Sequence, residues 1–302
     1  MDAVRARTAR QTLRLTTAQD AGVRFRECVA APGVVICRYW DTEETHTMED
    51  VLVQRQGAVQ VLTLNRVQKK NAITADMYQA LADGINEAED DASLRVILIQ
   101  GQPEAFSAGN DLEDFLKNPP KDESAPVFQF LRAISQATKP IVAAVAGNAV
   151  GVGTTMLLHC DVVYAADSAR FALPFSQLAL CPEAASSWLL PRVSGYHRAA
   201  EKLLFGEPFD VNEAVAMGFV NRIVPAAELA EFAAKRAAQL AAMPAGSLRV
   251  TKQLMKADGA SDVQARIGEE GVEFAKRLLS PEAREAFTAF FEKRKPDFTK
   301  IS

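Results

Sequence analysis

Two stretches of this chain have the residue types to hold negative charge as it develops on an oxygen. The first is Ala105-Phe106-Ser107-Ala108-Gly109-Asn110-Asp111-Leu112. It follows the strand-like run Leu94-Arg95-Val96-Ile97-Leu98-Ile99-Gln100-Gly101 and sets small residues before an acidic turn at a helix start. The second is Gly147-Asn148-Ala149-Val150-Gly151-Val152-Gly153-Thr154-Thr155, which leads from the apolar strand Ile141 to Val145 into a helix. Such turns can leave a backbone N–H free to point into a cleft. Two strand ends that each supply one free N–H make an oxyanion hole, and such a hole stabilises an enolate. The pattern therefore points to chemistry on a thioester carbonyl. Alone, the glycines of the second stretch would allow no more than a tight strand-to-helix turn; the partner stretch is what favours the hole.

Other motifs follow in a fixed order. They are Asn65-Arg66 with Lys69-Lys70-Asn71-Ala72, then Lys139-Pro140, then Cys160-Asp161 closing a helix, then Pro182-Glu183, then Phe291-Glu292-Lys293-Arg294-Lys295-Pro296-Asp297-Phe298. With the two turns, this set resembles the crotonase family, the enoyl-CoA hydratase/isomerase superfamily, over residues 48–302. The resemblance implies an α/β fold, a crotonase-like (ClpP/crotonase) spiral of repeated ββα units. It places the core with an acyl-CoA site in 48–240 and a helical trimerisation region in 241–302. It also implies a homotrimer, often paired into a hexamer. By the same resemblance the two oxyanion donors are the N–H groups of Asn110 and Val152. The backbone makes those bonds, so either side chain is acceptable. The helix beginning near Gly153 would aim its N-terminal dipole at the carbonyl oxygen.

The acid/base group discriminates between reactions. Hydratases of this family hold water between two glutamates, and in this chain the two places fall on Thr155 and on Phe175, which follows Pro174. Neither is a carboxylate, which argues against the two-glutamate mechanism. A carboxylate does occur at Glu183, in Leu180-Cys181-Pro182-Glu183-Ala184-Ala185-Ser186-Ser187. This arrangement is similar to the peroxisomal-type Δ3,Δ2-enoyl-CoA isomerases, in which one glutamate moves a proton from C2 to C4. An apolar wall of Phe175, Leu178 and Trp188 is expected to raise its pKa. The plainer role for Glu183 is a first-turn acid facing free N–H groups. Asp111 is the rival carboxylate, and its expected task is to cap the short helix that follows.

The resemblance sets Asp111, Leu112, Gly151, Phe175 and Trp188 along the substrate. Lys69 and Lys70 are placed to meet coenzyme A phosphates, or are simply solvated. Ala72 and Ala108 would line the adenine with their backbones. Phe291 and Lys295 on the last helix would reach a neighbouring subunit's ligand, or pack as plain core or interface residues. The expected activity is a shift of the double bond of 3-enoyl-CoA to the 2-position. The alternatives are another crotonase reaction such as hydration, or an acyl-CoA-binding or scaffold protein without turnover. No metal or redox cofactor is implied, since the coenzyme A thioester is itself the substrate.

Bulk properties are consistent with this. The 302 residues carry a formal net charge of -4, and 48% are hydrophobic. The mildly acidic balance, without a basic stretch interleaved with aromatics, argues against nucleic acid. No apolar run reaches the ~20 residues that span a bilayer. Cys28, Cys37, Cys160 and Cys181 have no CxxC spacing, and His46, His159 and His197 are scattered. A reduced cytoplasmic protein without a metal site is the reading, with His159 structural. Residues 1–47 differ from the rest. Arg5, Arg7, Arg10 and Arg14 suggest a transit peptide, which Asp2 and Asp20 interrupt. Met48 as the native start, and an extension that is flexible or packs locally, are the other readings.

The elements that must position the turns are a hairpin over 51–64 around Gln56-Gly57, a helix from Thr74 to Asp90, and strands at 94–100, 141–145, 161–165 and 220–224. A helix is expected near 126–137, and a nearly all-helical tail from 226 ends in a helix opened by Pro281-Glu282.

Overall fold

Apolar strands and amphipathic helices alternate along residues 49–301 and wind them into two sheets. The computed structural model describes residues 28–31, 34–37, 49–120 and 122–301. Strands β1 (Cys28–Ala31) and β2 (Val34–Cys37) pair antiparallel within a unit covering 1–47. The expectations for the rest of that segment lie outside the described residues.

In the second unit, β3 (Val51–Gln56) and β4 (Val59–Leu64) form the expected hairpin, followed by α1 (Ala75–Asp90). Three turns of one pattern come next. The first is β5 (Val96–Gln100), β6 (Ala105–Ser107), α2 (Leu112–Lys117) and α3 (Pro126–Gln136). The second is β7 (Ile141–Val145), β8 (Asn148–Val150) and α4 (Val152–Thr155). The third is β9 (Val162–Ala166), β10 (Arg170–Ala172) and α5 (Ser186–Ser194). Then follow α6 (Tyr196–Phe205), β11 (Phe209–Asp210), α7 (Val211–Met217) and β12 (Arg222–Val224). The tail is α8 (Leu229–Ala241), α9 (Ala245–Lys256), α10 (Ala260–Leu278) and α11 (Pro281–Phe291).

The first strand of each turn enters a six-stranded sheet, ordered β12-β9-β7-β5-β4-β3. The second enters a four-stranded sheet, ordered β11-β10-β8-β6. Successive turns pair in parallel, β5 with β7 and β7 with β9, and β6 with β8 and β8 with β10. This is the spiral of ββα units expected from the sequence. The inner strands of the larger sheet are covered on both faces, which is why β5, β7 and β9 read as nearly unbroken apolar runs. Leu62, Ile97, Ile99 and Val145 pack with Leu81 and Ile85 of α1. Val61, Val96, Leu98 and Val142 face Ala233 and Ala237 of α8. No helix among the described residues is long and apolar enough to cross a membrane.

Two expectations needed correction. The strand placed at 220–224 begins only at Arg222, because Asn221 ends the ladder: its N–H donates to Val163 O at 2.9 Å and its Oδ1 accepts from Val163 N–H at 2.7 Å. The helix after the second turn is one α turn, Val152–Thr155, which tightens into a 3-10 segment at Met156–His159. Four aligned peptides sum to a small dipole, so free N–H groups rather than a macrodipole must supply any charge stabilisation there.

The end of α1 shows how the turns of the spiral are tied together. Its last turn contains no basic residue. The cation comes instead from Lys139, at the entry to β7. The buried Lys139 ammonium donates to Ala88 O, to Glu89 O at 3.1 Å and to Asp91 O at 2.8 Å. Lys139→Met leaves these carbonyls unanswered and should lower the unfolding free energy by about 3 kcal/mol. Urea denaturation checks this, with the exposed Lys69→Met expected to match the parent protein.

Candidate active site

The two turns are interlocked by glycine. Strands β6 and β8 pair at Ser107 and Ala149. Beyond that pair Gly109 has φ +88, and a Cβ there would lie 2.8 Å from Val150 O. A Cβ on Gly153 would lie 2.9 Å from Ser107 Cβ. Any side chain at either place would wedge the turns apart. Around Asn110 the neighbouring backbone groups are used: Ile73 N–H donates to Gly109 O at 2.8 Å and Asp111 N–H to Ile73 O at 2.9 Å. Across from it Gly151 N–H donates to Ala172 O at 2.9 Å, and Gly151 O accepts from Thr154 and Thr155 N–H. The N–H groups of Asn110 and Val152 are left without an acceptor among the described residues. Val152 opens a helical turn, so its N–H is unspent by helix geometry alone.

Glu183 lies beside Asn110. Its side chain is buried, and Oε1 has no hydrogen-bond partner. Burial pushes its carboxyl up to about 8, the Asn110 side chain acts in the opposite direction, and the nearby Glu270 raises it further. Tyr78 of α1 completes the group. Its hydroxyl donates to Asn110 Oδ1 at 2.5 Å. That bond uses the amide oxygen and leaves the Asn110 amide hydrogens to favour the ionised form of Glu183. Burial, and then the charge of Glu183, raise the Tyr78 hydroxyl well above its ordinary value, so Tyr78 is a neutral donor.

The loop that carries Glu183 is braced on two sides. Ala184 and Ala185 both have left-handed backbones, φ 59 and 55. His159 Nε2 lies 2.8 Å from Ala184 O. Burial holds the His159 imidazole down at about 4, so it is neutral and donates this bond. On the other side Glu270 of α10 accepts from Ala185 N–H at 2.6 Å and from Ser187 N–H at 2.9 Å. The carboxyl of Glu183 opens onto a cavity of 660 Å³. Apolar residues of α2, α3 and α10 line it, among them Phe115, Phe128, Leu131 and Phe274. Its size and lining suit a small organic ligand.

Several residues singled out in the sequence fall elsewhere. Trp188 lines a different cavity, stacked under Arg192 at 3.4 Å from ring centroid to guanidinium carbon. Leu178 packs with Leu278 and Phe287, under α11. The wall that isolates Glu183 therefore comes largely from α2, α3 and α10 rather than from Leu178 and Trp188. Phe175 is buried in the main core, and Thr155 is buried with its Oγ1 unpartnered. Asp111 caps α2, accepting from Glu113 and Asp114 N–H at 3.1 Å, and pairs with Arg66 at 2.6 Å. Burial acts against its charge, yet Arg66 and the two N–H groups hold its carboxyl below the usual range.

Leu112 starts α2, and Gly151 sits between the β8 ladder and Val152. Lys69 and Lys70 are exposed, and Lys70 O accepts from Ala108 N–H at 2.9 Å, so Lys70, Ala72 and Ala108 share one rim. The buried Asn71 side chain ties that rim to the first turn through Ala105 O and Phe106 O. Phe291 and Lys295 stand exposed at and beyond the end of α11. Tyr78, Glu270 and the amide of Asn110 are the participants that sequence reasoning missed. Only a polar residue on the buried face of an amphipathic helix hinted at the first two.

Comparison with known proteins gives the family. Residues 54–301 match the family model described as enoyl-CoA hydratase/isomerase. The chain is 35% identical to enoyl-CoA delta isomerase 2 of Rattus norvegicus over 82% of its own length; it spans 64% of that protein. It is 32% identical to the probable enoyl-CoA hydratase echA8 of Mycobacterium tuberculosis, covering 84% of this chain and 99% of that one. Among solved structures, the enoyl-CoA hydratase/isomerase from Pseudoalteromonas atlantica T6c superposes with a TM-score of 0.80 at 42% identity. That match covers 83% of this chain and all of the other, 100%.

The buried carboxyl predicts how stability depends on pH. Glu183 titrates near about 8 in the folded protein and in the ordinary glutamate range when unfolded. The folded state therefore holds a proton that the unfolded state has lost. Stability from this group is full below the ordinary range and is lost as pH rises through about 8. Glu183→Gln removes the dependence. Its thermal midpoint should exceed the parent's by more at about pH 9 than at about pH 5. Equal differences at both pH values would contradict a raised pKa.

Proposed function

Within the enoyl-CoA hydratase/isomerase family, to which this chain belongs, we propose that it moves the double bond of a 3-enoyl-CoA thioester to the 2-position. The carrying observation is one buried carboxyl, Glu183, with Oε1 unpartnered and Asn110 alongside, in a fold that leaves the N–H groups of Asn110 and Val152 unspent. The thioester oxygen accepts from Asn110 N–H and Val152 N–H. This stabilises negative charge as Glu183 takes a proton from C2, and the electron pair delocalises over the oxygen, C2 and C4. Glu183 then returns the proton at C4, leaving a double bond between C2 and C3. No atom is gained or lost, and the carboxyl ends as it began. Asn110 eases the charge on Glu183, with Tyr78 fixing the amide.

Support against hydration comes from the positions that would hold water. Thr155 and Phe175 offer no carboxylate, and the buried phenyl of Phe175 adds none of the polar partners that a bound water needs.

The acyl tail occupies the cavity between α3 and α10. The exposed lysines Lys69 and Lys70 meet the phosphates, and the backbones of Ala72 and Ala108 line the adenine. Exposed apolar side chains on the tail helices, including Leu254, Met255, Leu279 and Phe290, favour a homotrimer or a pair of trimers. Phe291 and Lys295 then face a neighbour.

The test offers purified protein 3-enoyl-CoA and 2-enoyl-CoA in separate assays. The first follows gain of conjugated thioester absorbance and the second its loss. Isomerisation should dominate and fall by roughly 10³-fold or more in Glu183→Gln. Dominant hydration, isomerisation that survives the substitution, or binding without turnover would each sink the reading. Tail placement has its own test. Gly268 lines the cavity, and a Cβ there meets nothing within 4 Å. Gly268→Phe should lower kcat/KM for long acyl tails by roughly tenfold or more while sparing short ones.

A further inference from the structure

We propose that Glu270 is a positioning residue for Glu183, clamping the left-handed turn that carries the carboxyl and setting the charge it faces. The proposal rests on the reading of Glu183 as the base. Helix α5 has no cap of its own: the residue before it is Ala185, with no side-chain acceptor. Alanine at φ 55 is also strained, and Ala184 at φ 59 doubles the strain. Something outside the local sequence must hold this turn. Glu270 does so with both oxygens, one on Ala185 N–H and one on Ser187 N–H. It comes from α10, and it is buried. Burial raises the Glu270 carboxyl above its ordinary range, and the Ser187 and Ala185 donors, with Arg266, act in the opposite direction and favour its charge.

The same carboxylate lies close enough to Glu183 to raise it. The groups around Glu183 are few. Tyr78 of α1 and Asn110 of the first turn are uncharged. Cys181 of its own loop has its thiol pushed up to about 11 by burial and by Glu270, and is also uncharged. Asp122 and Glu123, and Arg132 of α3, also line the cavity. Glu270 on α10 is therefore the charged group built into the packing beside Glu183. It differs from an ordinary cap because its charge reaches the reacting group as well as the helix.

Glu270→Gln separates these roles, since it keeps the size and one acceptor oxygen but removes the charge. Glu183 must be ionised to take the proton, so kcat/KM rises with pH through its pKa. In Glu270→Gln that limb should move to lower pH by roughly half a unit or more, with KM nearly unchanged. A limb that stays in place in folded Glu270→Gln would overturn the proposal. Glu270→Asp keeps the charge and withdraws the oxygens from the two N–H groups. There kcat should fall by roughly ten- to a hundredfold with the limb unmoved, and a parental kcat would equally overturn it. Infrared titration of the Glu183 carboxyl reads the same shift without turnover. Loss of turnover in Glu270→Gln as complete as in Glu183→Gln would make Glu270 itself the base. Turnover that survives Glu183→Gln would instead remove the underlying reading.

Discussion

Close approach between two backbone turns is the constraint on which the site depends. Gly109 sits against Val150 O, and Gly153 sits against Ser107, at separations where a Cβ has no room. Pairing of β6 with β8 brings the turns to this distance, and the glycines let them stay there. Gly109 O, Asp111 N–H, Gly151 N–H and Gly151 O then find partners in Ile73, Ala172 and the first turn of α4. Asn110 N–H and Val152 N–H are left over by this accounting. Unspent donors inside a fold cost free energy, and a parallel sheet with its connections outside is a frame stiff enough to maintain them.

The carboxyl beside those donors has the opposite problem. Glu183 is placed among apolar side chains with one oxygen unpartnered. The fold accommodates it by keeping it protonated over a wide pH range and by setting one amide, Asn110, where it can help the charged form. That amide is oriented by the Tyr78 hydroxyl, which belongs to α1, an element whose other buried residues only pack. The tail helices matter as much. Residues of α10 line the cavity and brace the Glu183 loop, so the part of the chain beyond 240 completes the pocket as well as presenting exposed apolar surface.

What the sequence made legible follows from range. The strands of the larger sheet, the hairpin, the Thr74 cap and the Pro281 helix start depend on neighbours in the chain, and each forms within a residue or two of its expected place. The two turns were legible because glycine spacing reports backbone demands directly. Trp188 was misplaced because helical direction cannot be read from a loop of unknown path: α5 turns that ring toward α9 and Arg192, away from the cavity that Glu183 faces. The short α4 was misjudged because small apolar residues suit α and 3-10 turns alike. Tyr78 and the Asn110 amide were invisible because their bond joins residues 32 positions apart.

A missing local signal can nevertheless be informative. Helix α1 ends without a basic residue in its last turn, and α5 begins after an alanine that cannot cap it. Each end has backbone groups turned inward, at Ala88 O and at Ala185 N–H, where orphan groups are rarely left unanswered. Some remote charged side chain must therefore be buried against each. The structure supplies Lys139 to the first, from 51 residues beyond Ala88, and Glu270 to the second, from 85 residues beyond Ala185. The two charges have the signs that a carboxyl end and an amino end require. A sequence reader can thus predict that a buried lysine and a buried acid exist without knowing which they are. Only the winding of the spiral decides the identity. It also decides that the acid at α5 lands beside Glu183, where a helix cap becomes part of the electrostatics of a reactive site.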